Sequence, residues 1–171
     1  MHCHYVVAVD DARFGWPEVS LPVVPGMEAC HWPFRRSVRE HWPRLLHMLL
    51  AGEAVRARDG VGWLIDYAGP MDDAIRTAHA LAAGRNVRLA RRPLERAAFG
   101  PLPQDVPGLP AADGAMIELA RAAIVACLRE SAGVPLDQAL MVQARLAAEF
   151  LASPACRDGR VGAEYARTMA V

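Results

Sequence analysis

The chain has 171 residues, 53% of them hydrophobic and 22% charged, which predicts one folded domain and excludes a disordered polymer. Its 19 basic residues balance its 19 acidic ones, so there is no electrostatic footprint for DNA or RNA and no net repulsion against self-association. All 19 cations are arginine, which excludes Schiff-base chemistry and a low-pKa lysine base.

A chain of this length buries roughly 70% of its unfolded surface and needs no disulfide or structural metal to hold a core. Cys3, Cys30, Cys127 and Cys156 are irregularly spaced and match no zinc or redox motif. Free, buried thiols in a reducing cytoplasm are expected. No apolar run reaches about 18 residues, so no membrane-spanning helix is expected. No basic stretch precedes an apolar one at the start, so no signal peptide is expected either.

In chain order, residues 4–9 (HYVVAV) predict a buried strand and Asp10-Asp11 a turn. The apolar stretch 14–24 holds Pro17 and Pro22, which argue against a regular central strand. Pro25-Gly26 is a turn signal. Pro43 predicts the first turn of a buried helix that Gly52 closes. A single helical turn is expected over 57–61, and an extended segment over Trp63-Leu64-Ile65. Asp72 is read as the cap of a helix over 73–83, with Ile75, Ala78, Leu81 and Ala82 as its apolar stripe. The Arg-rich residues 87–99 are expected to be helical on either side of Pro93. Residues 100–114 (GPLPQDVPGLPAADG) read as an irregular connection. Two long helices follow, over about 114–131 and 136–152.

Three groups of side chains carry candidate chemistry. His2, Cys3, His4, Cys30 and His31 include good zinc ligands, but in a strand His2 and His4 face away from Cys3, so they do not converge. Glu18 lies in an otherwise apolar stretch between two prolines. It is either an exposed edge residue or a buried acid with a raised pKa suited to proton transfer. Glu28 follows the Pro25-Gly26 turn, where a first-turn carboxylate is ordinarily a surface residue favoured by the helix dipole. Phe14, Trp16, Trp32, Phe34, Trp42 and Trp63 suit a core, with Trp16 and Trp32 also placed to wall a pocket near the two carboxylates.

The run Asp10–Gly26, DDARFGWPEVSLPVVPG, resembles the crotonase (enoyl-CoA hydratase/isomerase) superfamily. That family carries A-x-F-G-x-P-E-x-x-L-G-x-x-P-G, matched here by Ala12, Phe14-Gly15, Pro17-Glu18, Leu21 and Pro25-Gly26. Its later L-L-L-T-G-E is similar to Leu49-Leu50-Ala51-Gly52-Glu53, and its G-L-V-D step to Gly62-Trp63-Leu64-Ile65-Asp66. VPLDQALMVQARLAAEFLASPACRDG resembles a C-terminal family segment. The resemblance implies an α/β chain with a partial crotonase-like spiral fold and a helical C-terminal region. Residues 1–99 would be the C-terminal part of the core, 100–114 a connection and 115–171 an oligomerisation region.

The same resemblance implies an acyl-CoA thioester as substrate, no separate cofactor, and Glu18 as general acid/base. Trp16, Pro25, Gly26, Glu28 and Trp32 would contact substrate. The chain departs from the family in several ways, residues 100–114 being an insertion relative to typical members. Nothing matches the half that supplies the two oxyanion-hole amides, and Glu28-Ala29 replace the family's Gly-Gly. Two readings follow. One is the C-terminal part of a hydratase or isomerase. The other is a non-catalytic short subunit that assembles with a full-length or complementary crotonase. A homo-oligomer, trimer or hexamer, is expected in the family manner. A zinc-binding module built from the His/Cys cluster is a third, minor reading.

Overall fold

The computed structural model describes residues 3–21, 23–85, 87–90 and 92–157. Strand β1 (Val7–Val9) is followed by the expected turn at Asp10-Asp11 and by strand β2 (Arg13–Gly15). Pro17 then ends strand geometry, since it fixes φ and lacks the ladder donor, and the backbone tightens into a 3-10 turn over Pro17–Ser20. Helix α1 (Trp32–Arg36) and a second 3-10 turn (Arg39–His41) lead into α2 (Trp42–Ala51). As predicted, Pro43 sits in the first turn of α2 and Gly52 caps it at φ 70°. Strand β3 (Ala54–Arg56), the single turn α3 (Ala57–Gly60), strand β4 (Tyr67–Gly69) and α4 (Met71–Ala82) complete the first part. Helices α5 (Ala115–Ala132), α6 (Leu136–Leu151) and α7 (Pro154–Arg157) follow the irregular 100–114 connection.

The architecture is mixed, with helices dominant over two separate two-stranded ladders. β1 and β4 run parallel, with Val7, Ala8 and Val9 opposite Tyr67, Ala68 and Gly69. β2 and β3 run antiparallel, with Phe14 opposite Val55. One buried cluster draws on Ala8 near the start, on Leu45, Leu49 and Ile65, and on Ile124, Cys127 and Leu128 of α5.

Three expectations are corrected. Trp63-Leu64-Ile65 is a turn rather than an extended segment. The amides of Leu64 and Ile65 both donate to the Gly60 carbonyl at 2.9 Å, while all three side chains are buried. Local donors were satisfied without a ladder. Residues 87–99 hold no helix among the described residues. Their backbone groups bond to other elements instead: Glu95 N to Arg35 O, Phe99 N to Ala132 O, and Leu136 N to Arg96 O. Helix α4 begins one residue before Asp72, which occupies its first turn. Its buried residue is Ala74, while Ile75 of the predicted stripe is 48% exposed.

Arg35 explains why residues 92–99, a strap without regular structure, hold in place. Its side chain is 2% exposed, and its Nε donates to His31 Nδ1 at 3.2 Å. Nη1 donates to the Glu95 and Ala97 carbonyls, and Nη2 to those of Ser131 and Val134. The fork joins α1, the strap and the α5–α6 connection at one point, with the Phe99 ring 4.8 Å from the guanidinium carbon. Burial lowers the Arg35 pKa below its ordinary value, and the charges of Glu95 and Glu28 act the other way.

Asp66 braces the opposite side. Its side chain is 3% exposed and accepts from Val6 N at 2.7 Å, Arg92 Nε at 2.8 Å and Arg36 Nη2 at 3.4 Å. Arg35→Met keeps much of the bulk but strands four carbonyls. It is expected to cost about 3–5 kcal/mol in urea unfolding. Arg35→Lys should recover little of that loss, since one ammonium cannot span both carbonyl pairs. A loss below about 1 kcal/mol for either variant, within the cost of a single hydrogen bond, would contradict this role.

Candidate functional site

Two segments that carry the sequence resemblance pack against each other. Gly15 of β2 lies on the Glu53–Ala54 backbone so closely that a Cβ would stand 2.7 Å from Glu53 O and 2.9 Å from Ala54 Cα. Gly52 meets the next turn, where its Cβ would lie 3.1 Å from Val19 Cγ1. Glycine is required at both positions for the F-G-W-P-E segment to seat on the L-L-A-G-E-A segment.

Glu18 is held in the 3-10 turn between them. Its carbonyl accepts from Leu21 N at 3.0 Å and Val23 N at 3.2 Å, which fixes the backbone beneath the carboxylate. The side chain is half-buried, and its Oε2 is buried without a hydrogen-bond partner. Its charge reaches the Cys30 thiol. That thiol is held well above its ordinary range, chiefly by the neighbouring Cys127 and by burial, and further by the charge of Glu18. Cys127 is shifted the other way, first by the neighbouring Cys30.

The Pro25-Gly26 turn delivers Cys30 to this place. Pro25 is fully buried, and its carbonyl accepts from Gln143 Nε2 of α6 at 2.8 Å and from Cys30 Sγ at 3.7 Å. Gly26 is exposed. Met27 and Glu28 then adopt φ 49° and 63°, the left-handed region that disfavours side chains. Glu28 occupies the first of the two positions where the resembled family has Gly-Gly. Its carboxylate sits 3.7 Å from His31 Nε2, and its side chain is 13% exposed.

The expected contact residues do not share one surface. Trp16 belongs to the core at 6% exposure, as does Pro25. Trp32 is half-buried and lines a groove of about 500 Å³ with His4, Arg36, Arg92 and Arg96. Arg36 and Arg92 are engaged there with Asp66 and with backbone carbonyls. The His/Cys cluster is split. Cys3 and His4 are exposed, Cys30 and His31 are in the core, and His2 lies outside the described residues. Among the described residues no group of three or more His, Cys, Asp or Glu is placed to hold a metal, and no helix is long and apolar enough to cross a membrane.

Cys127, Gln143 and Arg35 carry the geometry of this region, and the sequence reading did not single them out for it. Gln143 had a readable signal. It falls four residues after Ala139 on the buried face of an amphipathic helix, where a polar residue needs a partner. No family model and no curated protein matches the chain.

The left-handed turn makes its own prediction. Met27 is 86% exposed, so Met27→Gly relieves backbone strain at little packing cost. It should raise stability by about 0.5–1 kcal/mol in thermal unfolding, and Met27→Ile should lower it by at least as much.

Proposed function

We propose that this chain forms the acid/base part of a crotonase-like acyl-CoA site, with Glu18 as general acid/base on an enoyl-CoA thioester. The carrying observation is the buried, unpartnered Oε2 of Glu18. Leaving such an acceptor unpaired costs about 1–3 kcal/mol, and a reacting proton gives a reason to keep it. The carboxylate would take a proton from water as the oxygen adds to the β-carbon, and return one to the α-carbon.

Two further observations support the reading. The F-G-W-P-E and A-G-E-A segments pack together through two obligatory glycines. Glu28 keeps a left-handed backbone where the resembled family has glycine. On this reading the two ladders and α1–α4 are part of a crotonase-like spiral, and the protein acts in the cytoplasm. The two oxyanion-stabilising amides that thioester enolisation needs would come from outside the described residues.

Hydration of crotonyl-CoA, followed as loss of enoyl-thioester absorbance, tests the assignment. Glu18→Gln is expected to lower kcat by about 10²–10⁴-fold with little change in KM. An unchanged rate in the variant would remove Glu18 from the chemistry.

A second reading, a non-catalytic subunit that assembles through its helical region, is favoured by one observation. Leu140, Met141 and Leu151 of α6 and Leu119 of α5 are 47%, 71%, 54% and 48% exposed. Leu140 and Leu151 stand about three turns apart on the same helix. Light scattering is expected to give a trimer or hexamer. The Leu140→Arg/Leu151→Arg double variant should reduce it to a smaller species with unchanged circular dichroism. A wild-type monomer would argue against assembly through this face.

A further inference from the structure

We propose that the groove beside Trp32 binds a nucleoside monophosphate, with the phosphate held by Arg92 and Arg96 and the base lying along the indole. The assignment does not rest on the acyl-CoA reading. The groove has a volume of about 500 Å³, within the range of small-molecule sites. Three of its lining residues are arginine and none is acidic. The chain as a whole is neutral, so this gathering of cations in one concavity is local and selects anions.

The backbone that carries the two guanidiniums is fixed from behind. Pro93 restricts the chain directly after Arg92. Glu95 N donates to Arg35 O at 2.8 Å, and the Arg96 carbonyl accepts from Leu136 N at 2.8 Å. Arg92 Nε donates to Asp66 Oδ1 at 2.8 Å, Nη2 to Leu64 O at 2.9 Å, and Nη1 to Trp63 O. Those three bonds orient the fork and leave two of its five N–H groups without a partner among the described residues. Arg96 is exposed, and its guanidinium has no hydrogen bond or ion pair among the described residues. Asp66, behind the wall, is shared by Arg36 and Arg92, so it does not cancel the charge facing the groove. Glu95, in the adjoining groove, has its Oε1 engaged by the Ala97 amide at 2.8 Å.

A phosphate monoester matches this arrangement. Near neutral pH it carries close to two negative charges, and its three terminal oxygens can accept from both forks at once. A carboxylate offers one charge and two oxygens. Planar guanidinium forks suit phosphate geometry, and they are the cations this chain has. The half-buried Trp32 indole belongs to the same lining, and flat aromatic bases stack on such rings.

The test is calorimetric titration of the full chain with adenosine monophosphate, adenosine, ribose phosphate and inorganic phosphate. Adenosine monophosphate is expected to bind at a single site per chain, more weakly as sodium chloride is added. Adenosine, which lacks the phosphate, should bind at least about 10-fold more weakly. Ribose phosphate and inorganic phosphate, which lack the base, should each bind several-fold more weakly than the nucleotide. Arg96→Ala removes an exposed side chain and should leave circular dichroism unchanged. It should weaken nucleotide binding about 10–100-fold, as expected for loss of a charge-assisted hydrogen bond. If that variant does not fold, the ligand series on the wild-type chain decides alone. No nucleotide binding at millimolar concentration, unchanged affinity in Arg96→Ala, or adenosine binding as tightly as its monophosphate would each overturn the proposal. Inorganic phosphate or ribose phosphate matching the nucleotide would overturn it too, since no base would then be held.

Discussion

A buried guanidinium is the constraint on which the rest of this structure depends. Arg35 comes from a five-residue helix too short to be stable by itself, and the carbonyls it binds come from segments with no regular structure of their own. A lone carbonyl in such a segment needs a donor once it is buried. The Arg35 fork supplies four at one point and so fixes the strap over α1 and the start of α6 together. The charge is tolerated because every donor is engaged, with Glu95 and Glu28 near enough to favour it.

The same device recurs, and it follows from composition. A chain whose cations are all arginine has planar forks available wherever the backbone is irregular. Arg36 reaches the Cys3 and His4 carbonyls, Arg92 those of Trp63 and Leu64, and Arg121 those of Leu50 and Pro110. With two short ladders the sheet satisfies few backbone groups, so side chains do much of that work. This is why the groove beside Trp32, though lined by three arginines, has two of them engaged internally.

The region around Glu18 has a different character. Cys30 Sγ and Gln143 Nε2 both donate to the Pro25 carbonyl inside an apolar core, and the buried Glu18 Oε2 has no hydrogen-bond partner. The turn that closes it carries two side chains in the left-handed region. Unpaired buried groups and a strained backbone together are usual at sites under functional constraint. They set this turn apart from the well-satisfied strap on the other side of Arg35.

The sequence by itself determined the local elements whose signals are local. Pro43 and Gly52 bounded α2, Gly133 and Pro135 bounded the α5–α6 hairpin, and Pro17 stopped β2. It also singled out Glu18, because a carboxylate in an apolar, proline-framed stretch is legible without coordinates. It misread Trp63–Ile65 and residues 87–99, where pattern and propensity were overridden by the Gly60 carbonyl in the first case and by partners on α1, α5 and α6 in the second. Only the tertiary structure decided that Trp16 and Pro25 pack in the core while Trp32 lines a groove. It alone placed Cys30 and Cys127, almost a hundred residues apart, in one buried cluster. Those outcomes depend on which distant groups meet, and spacing along a chain does not encode such meetings when no regular element carries them.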